Sequence, residues 1–324
     1  MKLKSLIALT IPLLWASVGS AGYHPNILGP QACIECHENE GKAWQKTHHF
    51  NTFKELHKRP EAKTIGDKMG VKSIKKEITC AQCHYVGETE GEPIAGISCE
   101  SCHGPAKAWI KLHNDYGGKG AKKESETPAH KAERFSKATA AGMVRPENIY
   151  DVARNCFQCH TVPNENLVEV GGHKAGSDFE LVSWSQGEVR HNFLNSGGSG
   201  NRPASTERKR VLYVAGRVLD LEYGLRGVAE VTKPNEYAKK MAKRVQNALG
   251  HVKAIKEALN KPELAQILDA GTAAQLKPNN KADLLKAAET ISAAAKKYLT
   301  GNDGKDLAAI DKLIPTTAKG TAVQ

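Results

Sequence analysis

The chain has 324 residues, enough for two domains of ordinary size. Lys and Arg outnumber Asp and Glu by 46 to 35, a net charge of +11. Beyond the N-terminus no segment is long and apolar enough to span a bilayer, which excludes an integral helical membrane span. The chain opens with Met1-Lys2-Leu3-Lys4, an apolar run from Leu6 to Trp15, and the small residues Ala16, Ser17, Gly19, Ser20 and Ala21. A short basic region, an apolar stretch of this length and small residues before a cut site make a secretory signal peptide over 1–21. The alternative is an uncleaved anchor. Cleavage near Ala21 leaves a mature chain that starts near Gly22 or Tyr23, exported to the periplasm or beyond.

Eight cysteines in an oxidising compartment would ordinarily pair as disulfides. Here their spacing says otherwise. In chain order they read Cys33-Ile-Glu-Cys36-His37, Cys80-Ala-Gln-Cys83-His84, Cys99-Glu-Ser-Cys102-His103 and Cys156-Phe-Gln-Cys159-His160. Each is C-x-x-C-H, the attachment signature of c-type haem, and chance alone would supply roughly 0.01 copies. Two thiols one helical turn apart reach the two vinyl groups of a porphyrin as thioethers, and the adjacent histidine supplies the proximal nitrogen to iron. A zinc ribbon does not require histidine after every second cysteine, and a thioredoxin-type pair would occur once, on a βαβ pattern absent here. Four covalent haems c are therefore expected, with His37, His84, His103 and His160 as proximal ligands.

Nine further histidines are present against four methionines, so histidine is the expected second axial ligand of low-spin haem. Residues 36–53 read as one helix anchored by Trp44 and Phe53. Along it His49 lies roughly 18 Å from His37, too far to cap its own haem, so it is expected to cap a neighbour's. His113, ten residues past His103, invites the same argument. His173 follows Gly171-Gly172 and is either a distal ligand or a loop histidine in a glycine-rich turn. His24, His48, His57, His130 and His251 are expected to be packing or solvated residues, His57 and His130 because they sit among Lys and Arg. The second and third motifs, nineteen residues apart, imply two haems close together.

Residues 117–137, rich in Lys, Glu, Gly and Ala, read as an exposed insertion and a solvated loop. The stretch Asn195-Ser-Gly-Gly-Ser-Gly-Asn-Arg-Pro203 reads as a linker or long turn. Beyond it the pattern is helical. One helix is capped by Ser205 or Thr206. A second, from Pro234 to Asn260, spaces Met241, Val245, Ala248, Leu249, Val252, Ile255 and Leu259 by three and four residues. Pro262 opens a short helix, and 282–299 forms another with an Ala-rich face. The expected organisation is a signal peptide (1–21), a haem region (22–200) and a C-terminal helical bundle (201–324) without cofactor. The expected fold class is mainly α with much irregular loop, its core organised around four haems.

The run Cys33-x-x-Cys36-His37 followed by Ala43-Trp44-Gln45-Lys46-Thr47-His48-His49 resembles the start of the tetrahaem cytochrome c-554 family, whose namesake accepts electrons from hydroxylamine oxidoreductase. Gly96-Ile97-Ser98-Cys99-Glu100-Ser101-Cys102-His103-Gly104-Pro105 is similar to that family's third haem site, and the likeness covers about 30–195. Carried over by position, the resemblance implies that His113 caps the His37 haem, His49 the His160 haem and His191 the His103 haem. In the namesake the second haem is five-coordinate, which here corresponds to the His84 haem. Gly171-Gly172-His173 with Asp178-Phe179-Glu180-Leu181 instead looks like an element of broader multihaem relatives, in which the histidine is a ligand. That haem is thus either capped by His173 or left open.

Function follows from that choice. Bis-histidine haems leave no position for substrate, so an electron carrier between donor and acceptor redox proteins is expected rather than an enzyme. No motif ends in Lys, the sign of a catalytic haem in relatives resembling ammonia-forming nitrite reductase. An open second haem would instead suit an enzyme acting on hydroxylamine or nitrogen oxides. A third reading is a haem-stacking filament subunit, with self-assembly or membrane-surface docking through the C-terminal helices. The basic excess invites an acidic partner, yet haem propionates would consume much of it. Nucleic acid is not a sensible partner for an exported haem protein.

Overall fold

A computed structural model describes residues 22–198 and 200–324; the expected signal peptide lies outside the described residues. The fold is mainly helical, and its sheet is a parallel pair of two-residue strands, β1 (Gly22–Tyr23) and β2 (Val86–Gly87). Short helices dominate the first half: α1 (Gln31–Ile34), α2 (Glu38–Trp44), α3 (His48–Glu55), α4 (Pro60–Met69), α5 (Ile78–His84) and α6 (Cys99–His103). They are followed by α7 (Pro128–Ala140), α8 (Ile149–His160), α9 (Glu165–Glu169) and α10 (Leu181–Ser185). The C-terminal part holds α11 (Thr206–Ala229), α12 (Glu236–Leu259), α13 (Pro262–Ala273) and α14 (Lys281–Leu299), then a 3-10 segment, Lys305–Leu313.

The C-terminal helices form where periodicity placed them. Ser205 caps α11, its hydroxyl accepting from the Arg208 amide. On α12 the buried residues are Tyr237, Met241, Val245, Ala248, Val252 and Ile255, one stripe at three- and four-residue steps. Asn260 in the left-handed conformation and Pro262 then stop the helix. Helix α11 is buried on nearly every side and forms the axis around which α8, α10, α12 and α14 pack. Its contact with α12 is close because Gly227 offers no Cβ: one would sit 2.6 Å from Met241 Sδ.

One apolar cluster unites this bundle with Ile149, Tyr150, Ala153 and Phe157 of α8 and with Phe179, Leu181 and Val182. A buried polar knot lies inside it. Glu222 is fully buried and accepts from the Tyr150 hydroxyl at 2.5 Å and from Arg226 Nε and Nη2 at 3.0 and 2.8 Å. Ser292 Oγ lies 2.6 Å from the same hydroxyl. The polar group is thus satisfied on each side, as a buried charge requires.

The first half has a far smaller cluster of its own, Ile27, Val86 and Ala95. Residues from α8 onward join the large cluster, so it is the stretch before α8 that has little clustered apolar contact of its own.

Two expectations fail here. Residues 36–53 are not one helix: the chain turns at His37 and again at Thr47, whose hydroxyl caps α3 by accepting from the Phe50 amide at 3.2 Å. Residues 117–137 are not simply a solvated loop, since Thr127 and Pro128 start α7. That helix buries Arg134, which forms a bidentate pair with Glu126 at 2.6 and 2.7 Å.

Candidate haem-binding site

All four C-x-x-C-H motifs sit on short helices or at helix ends, where residues i and i+3 share a face. Cys80, Cys83 and His84 close α5, Cys99 to His103 make up α6, and Cys156 to His160 close α8; Cys33 lies on α1, with His37 at the turn into α2. These eight cysteines line one continuous cavity of about 2910 Å³, together with the four motif histidines and His49, His113, His173 and His191. The cavity exceeds by several-fold the roughly 300–1,000 Å³ of an ordinary small-ligand pocket.

Within it the histidines meet in twos. Ring centroids are 6.3 Å apart for His37 and His113, 6.2 Å for His49 and His160, 6.3 Å for His84 and His173, and 6.3 Å for His103 and His191. Metal–nitrogen bonds of about 2.0–2.1 Å on opposite sides of one metal, with each ring centre roughly 1.1 Å further out, put two centroids about 6.3 Å apart. The ring planes are turned by 27° to 85°, as rotation about such an axis permits. No group of three or more His, Cys, Asp or Glu among the described residues is placed to hold a bare metal ion. Two imidazoles face to face at this distance fit a metal whose remaining four positions come from elsewhere, as in a porphyrin.

The ring nitrogens are oriented to match. The Nδ1–H groups of His103, His113, His173 and His191 donate to the carbonyls of Val144, Ile110, Lys174 and Val189 at 3.0, 2.6, 2.9 and 2.7 Å. A carbonyl only accepts, so Nδ1 carries the proton and Nε2 keeps a free lone pair. His160 Nδ1 lies 3.1 Å from the Ser177 hydroxyl, and Arg244 from α12 grips the Ser177 carbonyl and Asp220. Burial pushes His84, His103 and His160 down to about 4, and lowers His49 and His113 as well, which keeps these rings neutral and able to ligate. Burial also pushes the Cys80 and Cys102 thiols up to about 11.

The wall also fits a group that carries carboxylates. Trp109 Nε1 and Arg190 Nε are buried there without a hydrogen-bond partner, each a cost of roughly 1–3 kcal/mol unless something accepts from it. Arg145, Arg202 and Arg208 line the same space.

Several positioning residues escaped sequence reasoning. Glu100, the second residue of the third motif, is buried and accepts from the amides of Leu28, Gly29 and Ala106 at 3.0, 2.7 and 2.7 Å, which ties α6 to two loops. Trp44 Nε1 donates to the Ile97 carbonyl at 2.8 Å, and Arg134 donates to the carbonyl of His113. The remaining histidines have other partners: His48 with Glu188 at 2.8 Å, His130 with Glu126 at 2.8 Å, and His24 Nδ1 with the Asn26 amide at 3.1 Å. His251 lies half-buried on α12, as expected of a packing residue. His57 departs from its expected solvation, with its Nδ1 buried and unpartnered. The thiols of Cys33 and Cys99 lie near enough to influence each other's ionisation, as do those of Cys83 and Cys159, which brings the first motif near the third and the second near the fourth.

Residues 32–104 match the family described as cytochrome c554 and c-prime. Over this stretch the chain is similar to that family. Cytochrome c-554 of Nitrosomonas europaea is 27% identical over 111 residues, covering 31% of this chain and 47% of that protein. The chain thus spans about half the length of the curated relative it matches. No solved structure matches. The matched stretch contains three of the four C-x-x-C-H motifs. The C-terminal helices lie beyond it.

Proposed function

We propose that the protein is an exported four-haem cytochrome that passes electrons between redox proteins and catalyses no reaction of its own. The carrying observation is the set of four histidine pairs, each 6.2–6.3 Å between ring centres, in a cavity shared with all eight cysteines. In this reading the cysteines hold haem c as thioethers. The axial pairs are His37 with His113, His84 with His173, His103 with His191 and His160 with His49. Bound haem supplies a one-electron iron couple.

The chain's own part is to hold these sites in order. The nearness of Cys33 to Cys99 and of Cys83 to Cys159 supports a His37 site beside the His103 site and a His84 site beside the His160 site. Cys102 is near enough to raise the Cys156 thiol, which supports neighbouring His103 and His160 sites. In this reading electrons would pass among the sites in the order first, third, fourth, second. Residues 1–21 would direct export, 22–200 hold the haems and 201–324 form the helical buttress. No helix among the described residues is long and apolar enough to cross a membrane.

An enzyme acting on hydroxylamine or nitrogen oxides needs an open iron position. His173 facing His84 at 6.3 Å argues against one. The test is electron paramagnetic resonance of the oxidised protein, with carbon monoxide titration of the reduced form and an intact mass. The expected result is four haems per chain, all low-spin, with negligible carbon monoxide uptake. A high-spin fraction of a quarter or more would refute the pairing of His173 with the His84 haem and favour the enzyme reading.

A further inference from the structure

We infer that Asn201, together with the segment 319–323, is the positioning device for His191, and so gives the C-terminal part a role in the coordination of the third haem. The inference rests on the reading of His191 as an axial ligand. His191 belongs to an irregular stretch without a helix to orient it, and its ring is held by Nδ1 donating to Val189 O, two residues back. What fixes that stretch is the carboxamide of Asn201, whose residue is 3% exposed. Its Oδ1 accepts from the amide of Asn192 at 2.7 Å, and its Nδ2 donates to the carbonyl of Arg190 at 2.6 Å. The peptide groups on both sides of His191 are thus held by one planar group.

The second Nδ2 hydrogen goes to Val323 O at 2.7 Å, 122 residues away in sequence. The same segment is laid along the chain leading into His191. Lys319 N donates to Ser183 O at 2.9 Å, and Glu188 N donates to Lys319 O at 2.9 Å. Room for it exists because residue 187 is glycine: a Cβ there would lie 1.8 Å from Lys319 O. An amide is the side-chain group that offers two donors and an acceptor in one plane, and all three are used. Leaving Arg190 O or Asn192 N unpaired beside the buried Asn201 in this half-buried place has a cost, so this arrangement favours one backbone path through His191.

The test compares full-length haem-loaded wild type, Asn201→Asp, Gly187→Ala and His191→Ala by oxidised-state paramagnetic resonance and carbon monoxide titration after reduction. Asn201→Asp keeps the shape but turns acceptors toward Arg190 O and Val323 O. Gly187→Ala expels Lys319 and keeps Asn201, so it stands in if the first variant fails to fold. Both are expected to convert one haem in four to a high-spin, carbon-monoxide-binding form, matching His191→Ala, with haem content by mass unchanged. Both remaining fully low-spin while His191→Ala changes would overturn the positioning role, as would a loss spread over all four haems. If His191→Ala itself leaves the spectrum unaltered, the ligand reading falls and takes this inference with it.

Discussion

Replacing Tyr150 by Phe removes one oxygen from the boundary between α8, which carries the fourth motif, and the C-terminal bundle. That oxygen donates to Glu222 at 2.5 Å and lies 2.6 Å from Ser292 Oγ, within a fully buried setting. A hydrogen bond to a charged acceptor contributes about 1.5–3 kcal/mol, whereas one between neutral groups contributes about 0.5–1.5 kcal/mol. Burial raises the Glu222 carboxyl above its ordinary value, while Arg226 and Tyr150 oppose that shift. A raised folded-state value means that the contribution of Glu222 is fully present below about pH 4.5 and declines as pH rises through the folded value. Tyr150 bonds best to the ionised form, so its loss costs more on the alkaline side of that window. The expected destabilisation is about 1 kcal/mol at pH 5 and about 2 kcal/mol at pH 8. At pH 8 this corresponds to a midpoint lowered by roughly 4 °C for a chain of this size. Thermal unfolding of haem-loaded wild type and variant, followed by far-ultraviolet circular dichroism at both pH values, measures it. An equal loss at the two pH values, or one below about 0.5 kcal/mol, would refute the coupling of Tyr150 to an ionised Glu222.

Three further outcomes are expected. His173→Ala should turn one haem in four high-spin and able to bind carbon monoxide; an unchanged spectrum would mean that the second site is open already. Ser177→Ala removes the group facing His160 Nδ1, and should raise the reduction midpoint of one haem of four in a spectroelectrochemical titration, because the imidazole becomes a poorer donor to oxidised iron. The Glu126 carboxyl is held down to about 2, chiefly by Arg134. A depressed folded-state value gives stability that is present above about pH 4.5 and lost as pH falls through 2. Glu126→Gln should therefore lower the urea midpoint at pH 7 and have no effect near pH 2, and an equal shift at both would contradict this.

Local chemistry was legible in the sequence, and long-range chemistry much less so. The four C-x-x-C-H motifs announce themselves because both thiols and the histidine must lie within one turn. The stripe from Tyr237 to Ile255 reads as a helix because its burial is periodic. The break at Thr47 was hidden because apolar anchors at Trp44 and Phe53 suit a continuous helix as well as two short ones. The cap at Thr127 was masked by the charged composition around it. His49 and His113 stood out as displaced histidines, but which ring faces which depends on segments far apart in sequence, 76 residues in the case of His37 and His113. The contacts of Arg134 with His113 and of Asn201 with Val323 have no local signature at all.

The neighbouring thiols bear on the timing of maturation. In the folded geometry Cys33 lies near Cys99, and Cys83 near Cys159, so four of the eight sulfurs have a cysteine of another motif close by. In an oxidising compartment a chain that folded before loading would be open to cross-links between motifs, which would consume the sulfurs intended for porphyrin. On the four-haem reading, attachment ahead of collapse avoids those cross-links. The small apolar cluster before α8 would suit that schedule, because it leaves this stretch weakly held until a porphyrin adds its own apolar surface.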